Sequence, residues 1–372
     1  MRCDNNDKSN KRKNRDVSLS PIKFLDDSTD EEDDLFTDDY FDNQISMEHF
    51  DDSNYELVKV DMNIETFNDL LLLAKKYDNT KRYEFNLRKL HNMIPSMERI
   101  NSFIGLDSIK NHLVDHILFY LQKDKLHVTN DMMHTVITGP PGVGKTEFAK
   151  ALGQLYLEMG ILSNDTFRKV TRSDLVAKYL GQTAIKTRDV IRSCKGGVMF
   201  IDEVYSLGSK ELRDSFSKEA IDTLNEHLTE LKEDFICIVA GYKEEVDNCF
   251  FAFNQGLNSR FPIRFHIEGY NYSELFEIFK NKVKDSKWKL ADEITDTNNF
   301  FKKNYKHFPN YGRDIENLLS QVKRCHSRRV FTLEDNTKTI ITLLDLENGF
   351  NKFLSFNKPN KKRKLKHKNI YV

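Results

Sequence analysis

The run Gly139-Pro140-Pro141-Gly142-Val143-Gly144-Lys145-Thr146 meets every fixed position of the pattern G-x-x-x-x-G-K-S/T. Thr135-Val136-Ile137-Thr138 before it reads as a short buried strand. Phe148, Leu152, Leu155 and Tyr156 after it recur at helical spacing. Strand, glycine loop and helix in that order constrain the fold strongly. The loop's backbone N–H groups close around phosphate oxygens, and the helix N-terminus adds the positive end of its dipole. Lys145 is placed to reach the outer phosphates, and the Thr146 hydroxyl to ligate Mg²⁺. The motif predicts a site for a nucleoside triphosphate with Mg²⁺.

Apolar strands alternate with helical stretches from Ile100 to about Gly269. The expected strands are Thr135–Thr138, Arg168–Thr171, Val198–Ile201, Phe235–Ala240 and Phe265–Glu268. Val198–Ile201 and Phe235–Ala240 are continuously apolar, as strands covered on both faces are. The pattern predicts an α/β fold, a parallel five-stranded sheet between helices. Beyond Tyr270 strands are expected to stop, giving a small helical domain over 270–355. The stretch 61–99 reads as a helical extension with Phe67, Leu70, Leu71 and Ala74 on one face, and Pro95 is expected to end it.

Composition bounds the rest. The chain of 372 residues has a net charge of −1, unevenly spread. Asp26–Ser53 holds thirteen acidic residues and no Lys or Arg, whereas Lys358–Lys368 holds seven basic residues and no acid. The expectation is a disordered acidic arm over 1–60 and a basic tail over 356–372, solvated or contacting a partner. The five cysteines show no C-x-x-C or zinc spacing, so a reducing, intracellular compartment, cytoplasmic or nuclear, is expected. His112 and His116, four apart without the intervening Glu of a zinc-protease helix, read as surface or packing residues. No run approaches membrane-spanning length, and no signal peptide is visible.

Four further elements bear on phosphoryl transfer, which depends on positioning and charge stabilisation. Val198–Ile201 ends in Asp202-Glu203: Asp202 is placed to hold Mg²⁺, and Glu203 to orient and deprotonate the attacking water. Arg260, in Gly256–Phe261, is a surface residue or reaches a neighbouring subunit's γ-phosphate. Arg313, in Asn310–Arg313, folds onto bound phosphates or pairs with Asp314 or Glu316. Lys178-Tyr179-Leu180-Gly181 reads as a gripping loop, its tyrosine offering broad contact at low entropic cost.

In this order the elements resemble an AAA+ ATPase, and within that superfamily the CbbX-type branch that includes red-type Rubisco activases and sporulation stage V protein K. The resemblance spans Ile100 to Phe353 and rests on Phe103–Leu106, Gly139–Thr146, Val170–Leu175, Lys178–Thr183 with Lys186-Thr187, Gly196–Glu203, Ala240–Lys243 and Gly256–Pro262. It implies a helical lid and a homo-oligomeric ring, usually a hexamer, with ATP between subunits. It implies that Ile104 and Gly105 contact adenine, that Asp202 and Glu203 are the Walker B pair, and that Arg260 is the arginine finger. Arg313 then matches the lid's sensor arginine, and Tyr179-Leu180-Gly181 the pore loop that pulls on a protein client. Ala240-Gly241-Tyr242 stands where many relatives carry a water-orienting Asn or Thr, leaving Tyr242 as a candidate sensor. Three functions compete: a ring ATPase that threads a protein, a nucleic-acid motor suggested by the basic end, and a nucleotide-gated scaffold with little turnover.

Overall fold

The computed structural model describes residues 57–126, 132–179, 181–208, 214–254, 256–294, 298–332 and 338–357. The acidic run, most of the basic end and Leu180 lie outside them. The chain opens with β1 (Leu57–Val58), α1 (Phe67–Lys75), β2 (Arg82–Tyr83), α2 (Leu87–Asn92) and α3 (Ile94–Ser102). Thr66 caps α1 in a reciprocal box with Asp69. Phe67, Leu70, Leu71 and Ala74 are buried, as their spacing predicts. Pro95 does not end this extension. It stands in the first turn of α3, where a missing N–H costs nothing, and α3 runs on toward Phe103. The two short strands, which the sequence did not suggest, pair in parallel, Leu57 with Arg82 and Val58 with Tyr83.

Next come α4 (Asp107–Leu126), β3 (Thr135–Thr138), α5 (Lys145–Glu158), β4 (Phe167–Val170), α6 (Arg172–Leu175), α7 (Thr183–Ser193) and β5 (Val198–Ile201). They are followed by α8 (Ser215–Glu230), β6 (Ile236–Gly241), α9 (Lys243–Cys249), α10 (Leu257–Arg260) and β7 (Ile263–His266). The five strands form one parallel sheet in the order β4-β5-β6-β3-β7. Alternation along each strand divides the core. Ile137, Phe200, Ile238 and Phe265 face the layer that includes α5 and the extension; Val136, Met199, Cys237 and Val239 face the layer with Leu224 of α8 and Val246 of α9.

Three strand boundaries differ from expectation for local reasons. Thr171 leaves β4 because its hydroxyl and N–H both bond Asp174 at 2.6 Å, capping α6. The fourth strand starts and ends one residue later than expected, at Ile236 and Gly241. The last begins at Ile263, directly after Pro262, and reads as an edge strand with Ile263 and Phe265 in and Arg264 and His266 out.

The lid comprises α11 (Tyr272–Asp285), β8 (Lys289–Leu290), α12 (Asn298–Asn304), α13 (Tyr311–Val330), β9 (Ile340–Ile341) and α14 (Leu343–Asn357). Strands do not stop at Tyr270, since β8 and β9 pair in parallel at the lid's edge. Phe276, Phe279, Phe301, Phe308, Phe350 and Phe353 fill the lid and belong to the same apolar cluster as α5 and α1.

Candidate active site

The glycine loop leaves the carboxyl end of β3, where parallel sheets place their ligands. Gly142 and Gly144 have φ of +75° and +88°, which lets successive N–H groups turn inward. A Cβ on Gly142 would lie 1.9 Å from the Asn310 carbonyl oxygen. Gly312 N–H also donates to the Gly142 carbonyl at 3.0 Å, so the lid rests directly on the loop. The Tyr270 hydroxyl fixes it further by donating to the Val143 carbonyl at 2.8 Å.

A cavity of about 590 Å³ opens above the loop. That volume suits a nucleotide-sized ligand. Its walls bring together loop residues 141–146, Asp202, Glu203, Tyr242, Ile104 and Arg313. Gly139, Pro140 and Gly105 are outside the lining itself. The Lys145 ammonium donates to the carbonyls of Gly139 at 2.9 Å and Pro140 at 2.8 Å and lies 4.7 Å from the Tyr242 ring centroid. Burial lowers its pKa, helped by the nearby Arg313 charge and opposed by Asp202 and Glu203.

The Thr146 hydroxyl donates to Asp202 Oδ2 at 2.8 Å, and Lys169 Nζ lies 3.3 Å from the same oxygen. A hydroxyl and a carboxylate side by side are hard oxygen donors. They fit Mg²⁺, which keeps most of its waters and takes few protein ligands beside phosphates. Among the described residues no cluster of three His, Cys, Asp or Glu offers an alternative metal site. Glu203 N–H donates to Asp202 Oδ1 at 3.1 Å. Glu203 has φ of +50°, a strained setting for a residue with a side chain and one that tends to occur at functional sites.

Arg313 makes no ion pair with Asp314 or Glu316 among the described residues. Asp314 turns inward to accept from Asn310 N–H at 2.7 Å, and Glu316 pairs with Lys282 at 2.5 Å. The Arg313 side chain is thereby left to the cavity. Arg260 does not line it. Its guanidinium binds the Gly256 carbonyl at 2.8 Å, Ser259 at 3.0 Å and Thr229 at 3.1 Å. Tyr179 stands 69 % exposed at the tip of the segment between α6 and α7. The base of that segment is clamped: Lys186 donates to the Ser173 carbonyl at 2.6 Å and Thr187 to that of Leu175 at 3.0 Å. A Cβ on Gly181 would meet open space.

Tyr205, Tyr270 and Lys169 also reach the site or its loop, and sequence reasoning missed them. Tyr205 lies two residues past Glu203 but in no pattern that was read, whereas only the fold brings Lys169 to Asp202 and Tyr270 to the loop.

Comparison with known proteins agrees with this arrangement. Residues 135–268 match the model of the ATPase family associated with various cellular activities (AAA), and residues 271–353 match the AAA lid domain. A cfxQ-like protein of Acanthamoeba polyphaga mimivirus is 46 % identical over 275 residues, covering 73 % of this chain and 67 % of that protein. Stage V sporulation protein K of Bacillus subtilis is 37 % identical over 209 residues, 55 % of this chain and 64 % of its own length. The chloroplastic ribulose bisphosphate carboxylase/oxygenase activase of Cyanidioschyzon merolae is 32 % identical over 239 residues, 62 % of this chain and 77 % of its own. Among the described residues no helix is long and apolar enough to cross a membrane. With a phosphate loop at the end of β3, an acidic pair at the end of β5 and a lid resting on the loop, the chain belongs to the AAA ATPases, in the branch of the CfxQ and CbxX proteins.

Proposed function

We propose that this ATPase works as a homo-oligomeric ring, a hexamer, that remodels a protein client by drawing part of it past Tyr179. The observation that carries the reading is the exposed tyrosine on a segment clamped at its base, one short helix away from the β4–β5 side of the site. A side chain buried for packing would not stand out in this way.

The chemistry follows from the cavity. Water oxygen bonds to the γ-phosphorus as the bond to the bridging β–γ oxygen breaks, giving ADP and phosphate; the water's proton passes to Glu203. Lys145 and the loop N–H groups hold the phosphates, and Arg313 adds charge from the lid. Mg²⁺ would be held by Thr146 and Asp202, and when bound it supplies charge neutralisation at the phosphates. Ile104, which lines the cavity, is assigned to the base, with Gly105 behind it outside the lining. Arg260, directed away from its own chain's cavity, is assigned to the neighbouring protomer's γ-phosphate. The homologous activase, named for its action on ribulose bisphosphate carboxylase/oxygenase, supports a protein as client.

The test uses Glu203→Gln as bait, since loss of the base should hold ATP and keep a client engaged. Polypeptides should co-purify with this variant in ATP and not in ADP. They should be lost from Glu203→Gln/Tyr179→Ala. Equal capture by the double variant would mean that threading past Tyr179 is the wrong mechanism.

A further inference from the structure

Beside the catalytic carboxylate the candidate sensor Tyr242 has a second aromatic partner, Tyr205. Tyr205 and Tyr242 stack at 5.4 Å between centroids, with planes 20° apart, and both line the cavity. Tyr205 follows the strained Glu203 by two residues, in a turn where Ser206 N–H donates back to the Glu203 carbonyl at 2.8 Å. Its ring packs against the end of β6 at Gly241. A Cβ on Gly241 would stand 2.6 Å from Val246 Cγ2 and 3.0 Å from Tyr205 Cδ1, so a bare backbone at Gly241 admits both side chains. Tyr242 spans the gap from there to Lys145, whose ammonium is 4.7 Å from its ring. Contacts thus run from the phosphate lysine through Tyr242 to Tyr205, which lines the same cavity as Glu203 two residues before it. Tyr242 occupies the strand end where a polar sensor was expected and Ala240-Gly241-Tyr242 stands instead.

We propose that Tyr205 is a positioning residue for Glu203: its hydroxyl orients the carboxylate toward the attacking water, and its stacking on Tyr242 ties that orientation to Lys145. The inference rests on the ATPase reading. Burial, then the adjoining Glu203 carboxylate and Tyr242 phenol, push the Tyr205 phenol above its ordinary pKa, so it stays protonated and can donate. The arrangement answers a need specific to this chemistry. A general base must be held within hydrogen-bond reach of its water, and an unsupported carboxylate rotates.

Tyr205→Phe keeps the ring, the stack and the packing on Gly241, and removes only the hydroxyl. Steady-state ATP hydrolysis should fall about tenfold in kcat, a part of the roughly 10²–10⁴-fold that the general base as a whole supplies. The Kd for a fluorescent ATP analogue should stay within about twofold of wild type, because no phosphate contact is lost. In a Glu203→Gln background, single-turnover hydrolysis should show no further loss from Tyr205→Phe, since residues acting through one group are not additive. Wild-type kcat in Tyr205→Phe overturns the proposal. So does a parallel loss of ATP affinity, or full additivity with Glu203→Gln. Lys145→Ala serves as the control: if it retains turnover the ATPase reading itself fails, whereas its inactivity beside a wild-type Tyr205→Phe sinks only the role of Tyr205.

Discussion

His134, fully buried before β3, links three elements through one ring. Cys237 N–H donates to Nδ1 at 3.1 Å, which leaves Nε2 protonated to donate to the Leu228 carbonyl at 2.9 Å. Burial pushes its pKa from 6.5 down to about 4. The folded state therefore binds fewer protons than the unfolded state between these values, and folding weakens as pH falls through that window. The contribution is complete above pH 6.5, and its loss amounts to roughly 3 kcal/mol by pH 4. Urea unfolding of wild type and His134→Gln at pH 7 and pH 4.5 should show wild type losing more stability; equal losses would mean the ring is not held neutral. Sequence reasoning weighed His112 and His116 and passed over His134. The reason is physical. A spacing of four is visible along a chain, whereas the partners of His134 lie 94 and 103 residues away. The same division runs through the active site: Lys145, Thr146, Asp202 and Glu203 belong to local patterns, while Tyr205 and Tyr270 acquire meaning only from what they touch.

Asp345 governs the pairing of α13 with α14. It accepts from Arg329 Nε at 2.9 Å, from His326 Nδ1 at 3.0 Å, and from Thr342 N–H and hydroxyl, both at 3.0 Å. Burial alone would raise its carboxyl, but Arg329, Thr342 and His326 outweigh that and hold it well below the ordinary carboxylate range. Asp345→Ala leaves Arg329 and His326 facing an apolar gap, a loss of about 3 kcal/mol by analogy with buried pairs robbed of one partner. Hydrogen exchange should quicken in α13 and α14 and remain slow in α5; unchanged protection in the lid would mean the network is dispensable. None of this was legible beforehand, because the helical domain expected over 270–355 says nothing of what anchors the first turn of α14. Elements with long apolar patterns, such as β5 and β6, were legible to within a residue. The two-residue pairs β1–β2 and β8–β9 were not, since two residues carry no period. Pro95 was misread for a related reason: a proline marks a helix boundary equally well from either side.

A protomer by itself carries the loop, the acidic pair and the lid, yet Arg260 is bound to α10 and α8 and absent from the walls of its own cavity. If the finger acts between protomers, Glu203→Gln and Arg260→Ala are defects in different halves of one interface. Each alone should be nearly inactive. Mixed in equal amounts and allowed to reassemble, a site from the Arg260→Ala chain can receive the intact finger of the Glu203→Gln chain, and about a quarter of the interfaces should then be complete. ATP hydrolysis, measured against total protein after exchange, should recover to that order, and dilution below the assembly concentration should abolish it again. An arginine acting within its own chain predicts no recovery at any ratio, because every chain would still lack either its base or its finger. That result would remove the ring from the mechanism and leave the lid's Arg313 as the lone arginine lining the described cavity.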